Sequence, residues 1–201
     1  QKPLTANLAE GRILANTIDR YGTVFQTGSQ LRSDWRARHI CELVLNGRIG
    51  KLYRIETVLD NGIAMDGFDL APLPEGLDYD LWLGPAPWAP YCKSRCHYNF
   101  RYQLDYSGGK LADWGAHFID IGQLGMGAAE TGPVEVEGEG EFPQRGLFTA
   151  PTEYRVTARY ANGVEMIMRN KPIEDVEATT TGTTFFGSDG WVYVRYYAAR
   201  A

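Results

Sequence analysis

Apolar residues recur at helical spacing in two places near the start of the chain and at strand spacing over much of the remainder. Leu4, Leu8, Leu14 and Ile18 predict a helix over 4–20, with Thr5 as its cap and Tyr21-Gly22 as its stop. Val24 to Gln30 reads as a short strand. A second helix is expected after Ser33, burying Ala37, Ile40, Cys41 and Val44 and ending at Asn46-Gly47, where glycine suits a left-handed residue. Residues 51–59 alternate, with Tyr53, Ile55, Thr57 and Leu59 on one face, and predict a strand.

Strand-like alternation returns near the end of the chain. Val134 and Val136 alternate with glutamates, and Tyr154 to Tyr160 leads through Asn162-Gly163 into Val164, Met166 and Met168. Asn-Gly between two such runs predicts a hairpin, since both residues accept the positive φ of a type I′ turn. A second hairpin is read across Phe185 to Val194. Helices early and strands late predict an α+β fold: an open mixed, largely antiparallel sheet with helices on one face.

Between these regions lie two segments of another character. Residues 60–106 hold five of the ten prolines between Pro72 and Pro90, interleaved with Trp82, Trp88, Tyr91, Tyr98, Phe100, Tyr102 and Tyr106. Aromatic rings order a loop and stack on the C–H faces of sugars, so Trp82, Trp88, Tyr98 and Tyr102 are candidates for a sugar platform; the bland alternative is that they cover a sheet edge. Residues 108–125 then predict a helix whose glycines (108, 109, 115, 122 and 125) cost stability unless they let the backbone lie close to the sheet.

That helix carries the chemistry. Asp113, His117 and Asp120 fall at i, i+4 and i+7 and therefore share one face. Imidazole titrates near neutrality, and a flanking carboxylate is expected to orient it and raise its pKa. The bland reading is a histidine between acids on a solvated face. His39, among arginines on the second helix, reads as solvated. Cys92, Cys96 and His97 bunch three possible ligands, but a structural zinc site takes four, so no metal is expected there.

Composition narrows the partners. Twenty basic against twenty-five acidic residues give a net charge of −5 with no basic stripe, which argues against nucleic acid. No apolar run reaches the roughly 20 residues of a membrane span, and three cysteines suit a reducing, cytoplasmic compartment. The chain opens on Gln1 rather than Met, so its numbering is expected to begin inside a longer reading frame or after processing.

Several segments together resemble the Gfo/Idh/MocA family, the glucose-fructose oxidoreductase and inositol dehydrogenase group: Gln1-Lys2-Pro3, Tyr21 to Arg32, Asn46 to Leu52, Leu81-Trp82-Leu83-Gly84-Pro85 and Gly108 to Asp120. The resemblance implies a dinucleotide-binding half followed by a sheet domain for substrate and oligomer contacts, acting on sugars or polyols. It implies Lys2 as the family's Lys-Pro lysine, Asp113 and His117 as its acid/base pair, and Arg32, Tyr102 and Trp114 as pocket-lining residues. Gln1 stands where the family has Glu, and no GxGxxG occurs to take a pyrophosphate. Residues 1–30 are therefore expected to be a remnant of the dinucleotide-binding domain, and 31–201 the substrate and oligomerisation domain.

Three functions follow from this reading. The first expectation is cofactor-independent glycoside hydrolysis or elimination on a small-molecule sugar, with His117 or Asp113 as acid and Asp120 or Asp105 as the second carboxylate; glycosidases place such pairs roughly 5 to 9.5 Å apart. The alternative is the substrate half of an NAD(P)-dependent sugar or polyol oxidoreductase, with no cofactor held by this chain alone and NAD(P) held by an upstream Rossmann domain. A third is a non-catalytic module that forms a homo-oligomer through its sheet face, served by Tyr193, Tyr196 and Tyr197, although these rings could simply fill the core.

Overall fold

The computed structural model describes residues 2–171, 181–196 and 198–200 of the 201-residue chain. The first helix, α1 (Leu8–Tyr21), begins two residues later than Thr5 would place it. Asn7 caps it, accepting from Glu10 N, while the Glu10 carboxylate reaches back to Ala6 N at 3.0 Å. This reciprocal box satisfies two free donors and outcompetes Thr5, whose hydroxyl donates to the Asn7 carbonyl. Gly22 ends the helix at φ 59. No residue of α1 is buried, so its apolar stripe adds nothing to the core.

The strand expected over Val24 to Gln30 does not form. Val24 is 98% exposed, no strand among the described residues lies alongside to complete its hydrogen bonds, and Gln30–Ser33 coils into a 3-10 turn. Asp34, not Ser33, caps α2 (Trp35–Leu45), accepting from Arg36 N. The buried face of α2 is Ala37, Ile40, Cys41 and Val44, as its spacing predicts.

β1 (Leu52–Val58) occupies the centre of a seven-stranded sheet with β2 (Glu135–Glu141), β3 (Glu153–Arg159), β4 (Glu165–Arg169), β5 (Gly182–Gly187), β6 (Gly190–Arg195) and β7 (Ala198–Arg200). The order is β2-β3-β4-β1-β5-β6-β7, with only β1 and β4 parallel. Flanked on both sides, β1 buries Ile55, Glu56, Thr57 and Val58 in succession, so its alternation does not separate buried from exposed. Glu56 is paired in that setting with Arg169 at 2.6 Å and Arg54 at 3.2 Å.

Asn162-Gly163 does turn the chain between β3 and β4, but Gly163 alone takes positive φ, at 83. Gly163 N donates to Tyr160 O, and Val164 N to the Asn162 side chain. The loop is one residue longer than a two-residue type I′ connection requires, with glycine at its left-handed end. The β5–β6 hairpin forms as expected, with Gly187 opposite Gly190.

α4 (Gly109–Gly125) lies across this sheet, and its glycines allow that approach. A Cβ on Gly122 would stand 2.7 Å from Met166 Cε, and one on Gly125 2.5 Å from Phe185 Cε1. Phe118 and Ile121 are completely buried between the glycines, and Thr183 Oγ1 donates to the Phe118 carbonyl at 2.9 Å. The helix axis is therefore pinned, which fixes the direction of its polar face. The proline-rich segment contains α3 (Tyr79–Leu83) and is held by a cluster of Tyr79, Leu83, Tyr91 and Cys96 and another of Cys92, Tyr102, Leu147 and Phe148. Replacing Gly125 with alanine is expected to cost about 1–3 kcal/mol through overpacking, whereas Gly67→Ala, which meets nothing within 4 Å, is expected to be near neutral; urea unfolding of the two variants compares them directly.

Candidate functional site

The polar face of α4 carries Asp113, His117 and Asp120, and each carboxylate is met by arginine or lysine from a distant part of the chain. Lys2 Nζ lies 2.6 Å from Asp113 Oδ1 and also donates to the Asp113 backbone carbonyl. Arg101 Nη1 donates to Asp113 Oδ2 at 2.5 Å. Asp120 accepts both Nε and Nη2 of Arg32, at 2.7 and 2.6 Å. Arg32 thus reaches the site as the two-pronged partner of Asp120, not as a free contact for a ligand.

Arg101 enters from a 3-10 helix, His97–Tyr102, whose first residue takes φ 53. A left-handed histidine is unfavourable, and here it starts the turn that aims Arg101 at α4. The Arg101 guanidinium carbon stands 3.7 Å from the centroid of the Tyr98 ring, and its Nε donates to the Tyr98 carbonyl at 2.8 Å. Tyr98 itself remains largely exposed.

These contacts determine the protonation states. Burial pushes the Asp113 carboxyl up, but hydrogen bonding and charge from Lys2, with Arg101 adding to them, outweigh it and hold the group below its ordinary value. His117 is only 7% exposed, and its pKa is lowered, first by burial and then by the charge of Lys2, against the opposing pull of Asp113 and Asp120. The expectation that flanking carboxylates raise it is therefore corrected: both still pull it upward, but burial and the charge of Lys2 outweigh them. Its Nδ1 is enclosed with no partner among the described residues, so a ring that accepts a proton at Nε2 must already carry its neutral N–H on that unanswered Nδ1. Proton exchange falls to Nε2.

The expected aromatic platform divides. Trp82 lines a cavity of about 360 Å³ with Phe100, Tyr106, Pro85 and Asp105, and packs 5.0 Å from the Tyr106 ring. A second cavity of about 380 Å³ shares Ala6 and Tyr106 with it and runs past Pro3, Leu104 and Gly108 to Ala112. Its far end is adjacent in sequence to both Lys2 and Asp113. Tyr106 lines both cavities, and its hydroxyl is buried with no partner among the described residues.

Tyr102, by contrast, is core rather than lining: it is 2% exposed, packs on Phe148, and burial beside Tyr98 pushes its hydroxyl up to about 12. Trp114 is wedged against Phe118 and Tyr196, and Trp88 projects into solvent. Tyr193 is buried, Tyr196 packs on the His117 ring, and Tyr197 lies outside the described residues. Cys92 and Cys96 are buried free thiols, and among the described residues no group of three or more His, Cys, Asp or Glu could hold a metal. No described helix is long and apolar enough to cross a membrane.

Two side chains at the candidate site escape the spacing argument. Arg101 and Tyr106 lie in the irregular segment, where no period marks them, and only the mixture of rings and charges hints at a site. No GxGxxG motif occurs in the sequence, and the first turn of α1 is occupied by Asn7 and Glu10.

Residues 62–199 match the Gfo/Idh/MocA model described as "Oxidoreductase family, C-terminal alpha/beta domain". Among solved structures, the aldose-aldose oxidoreductase from Caulobacter crescentus complexed with glycerol superposes with a TM-score of 0.64 at 13% identity, covering 98% of this chain and 50% of that one. The WlbA dehydrogenase from Bordetella pertussis, in complex with NADH and UDP-GlcNAcA, gives 0.62 at 14%, covering 96% and 49%. GenD2 from gentamicin A biosynthesis, in complex with NAD, gives 0.62 at 14%, covering 96% and 46%. The chain thus spans about half the length of these proteins, and the likeness extends to the fold: an α/β domain with an open mixed sheet. No curated protein sequence matches.

The expectation of glycoside hydrolysis is overturned by the oxidoreductase family match. The geometry supplies the reason: a glycosidase needs a carboxylic acid with a raised pKa, and Asp113 is held the other way while Asp120 is locked to Arg32.

Both shifts act on stability in the same direction. Below about pH 6.5 the unfolded chain protonates His117 more readily than the folded one does, so stability falls. The contribution of Asp113 is full above about pH 3.9, its unfolded pKa, and is lost as pH falls through its lower folded value. Urea unfolding is expected to give lower stability at pH 5 than at pH 7, and His117→Gln to flatten that difference.

Proposed function

The chain belongs to the Gfo/Idh/MocA oxidoreductase family, and from that premise we propose that it forms the substrate half of a nicotinamide-dependent sugar or polyol oxidoreductase. In this reading residues 1–30 are the end of a dinucleotide-binding half and 31–201 the domain that holds the substrate. The observation that carries it is the pairing, on one face of α4, of a neutral imidazole with a carboxylate clamped by two cations.

Oxidation of a secondary alcohol releases a proton from its hydroxyl. His117, neutral at pH 7, takes that proton at Nε2 and returns it when a carbonyl is reduced. Lys2 presents an ammonium to the same oxygen as negative charge develops there, and Asp113 fixes Lys2 in place. Asp113 is thereby a positioning residue, since its oxygens answer Lys2 and Arg101. Trp82 and Tyr106 line the neighbouring cavities, where ring faces suit a pyranose and the free Tyr106 hydroxyl suits one of its oxygens. Hydride transfer is the chemistry that nicotinamide supplies when bound.

That similar chains were solved with NADH and UDP-GlcNAcA, and with glycerol, supports a polyhydroxylated ligand. Ligand-observed NMR of the purified chain against aldoses, polyols and nucleotide sugars tests the reading. At least one member is expected to bind, with affinity about tenfold lower in Tyr106→Phe through the lost hydrogen bond. Absence of binding by every member would overturn the proposal.

A further inference from the structure

The charges gathered at the polar face of α4 do not balance. Among the described residues three cations meet there, Lys2, Arg32 and Arg101, against two carboxylates, Asp113 and Asp120. Arg32 and Asp120 neutralise one another through two parallel hydrogen bonds. Lys2 and Arg101 share the single charge of Asp113.

The surplus has a definite location. Lys2 is directed at Asp113 twice, through the carboxylate and the backbone carbonyl. Arg101 commits Nε to the Tyr98 carbonyl and Nη1 to Asp113, and its Nη2 has no acceptor among the described residues. Its side chain is 19% exposed, and the Tyr98 ring beneath the guanidinium fixes its plane. A largely desolvated guanidinium with an uncommitted, oriented edge is what planar recognition of a carboxylate or a phosphate uses.

We infer that the sugar taken by this site carries an anionic group, a carboxylate or a phosphate, received by the free edge of Arg101 beside the Lys2–Asp113 pair. The inference rests on the substrate-half reading and adds the substrate class to it. A neutral sugar leaves the excess positive charge half-buried; an anionic one cancels it. Binding the anion also places the sugar's hydroxyls next to Lys2 and His117, because Asp113 holds Arg101 and Lys2 from opposite oxygens.

Matched sets of neutral sugar, uronate and 6-phosphate, built on glucose, galactose and mannose, test this by NMR titration of the purified chain at low salt. Within the set that binds, an anionic member is expected to bind on the order of tenfold or more tighter than its neutral counterpart, as a charge-assisted bond provides. The gain should shrink at high salt. Preference for the uronate identifies a carboxylate as the source, and preference for the 6-phosphate a phosphoryl group. Arg101→Met should erase the preference, while Arg101→Lys, which keeps the charge and loses the fork, should retain part of it. Circular dichroism reports whether each variant is folded. Equal affinity for neutral and anionic members overturns the inference and leaves the substrate-half reading standing, as does a preference that survives Arg101→Met. Failure of all members, neutral and anionic alike, overturns the inference, and the substrate-half reading falls with it when the polyols and nucleotide sugars fail to bind as well.

Discussion

Asp113 stands between two cations that reach it from opposite ends of the first hundred residues, and that contact organises the rest of the site. Lys2 comes from the N-terminal segment and Arg101 from the 3-10 helix that precedes α4, so a single carboxylate ties three stretches of chain together. It keeps Lys2 facing α4, gives Arg101 a fixed angle, and holds a positive charge close enough to His117 to lower its pKa. Were Asp113 neutral, two half-buried cations would repel one another across the gap it now fills.

This arrangement needs a rigid support, and the sheet supplies it. Gly122 and Gly125 bring α4 down onto Met166 and Phe185, and Thr183 bonds to the Phe118 carbonyl one residue beyond His117. The helix cannot rotate without driving backbone into those side chains. Its polar face therefore points in one direction, and the imidazole stays under Tyr196 with Nδ1 sealed.

Periodicity made much of this legible. The i, i+4, i+7 stripe found Asp113, His117 and Asp120, because a helix converts spacing into a shared face. Alternation located the strands from β1 to β6, and the glycines of α4 announced its close packing. Periodicity encodes neither charge partners nor depth: nothing in the spacing pairs Arg32 with Asp120 or Arg101 with Asp113, and nothing in it shows the burial and the Lys2 charge that set the sign of the shift at His117. Short-range competition was equally hidden. Asn7 displaced Thr5 as a cap because Glu10 completes its box, Asp34 displaced Ser33, and Val24 to Gln30 lacked the neighbouring strand that would have made it one. Tyr102 looked like its aromatic neighbours in sequence, and only packing on Phe148 shows it to be core.

The ion pairs also separate two kinds of chemistry that sequence left open. Hydrolysis of a glycoside asks for a carboxyl that retains its proton; proton exchange with an alcohol asks for a base that stays uncharged. The clamp on Asp113 works against the first and for the second. Imidazole resonances followed by NMR between pH 5 and 8, in the parent chain and in Lys2→Met, test this most directly. The account predicts that His117 titrates below the ordinary histidine value and that its midpoint moves up when Lys2 is removed. A His117 midpoint above that ordinary value in the parent chain, or one indifferent to Lys2, would contradict it.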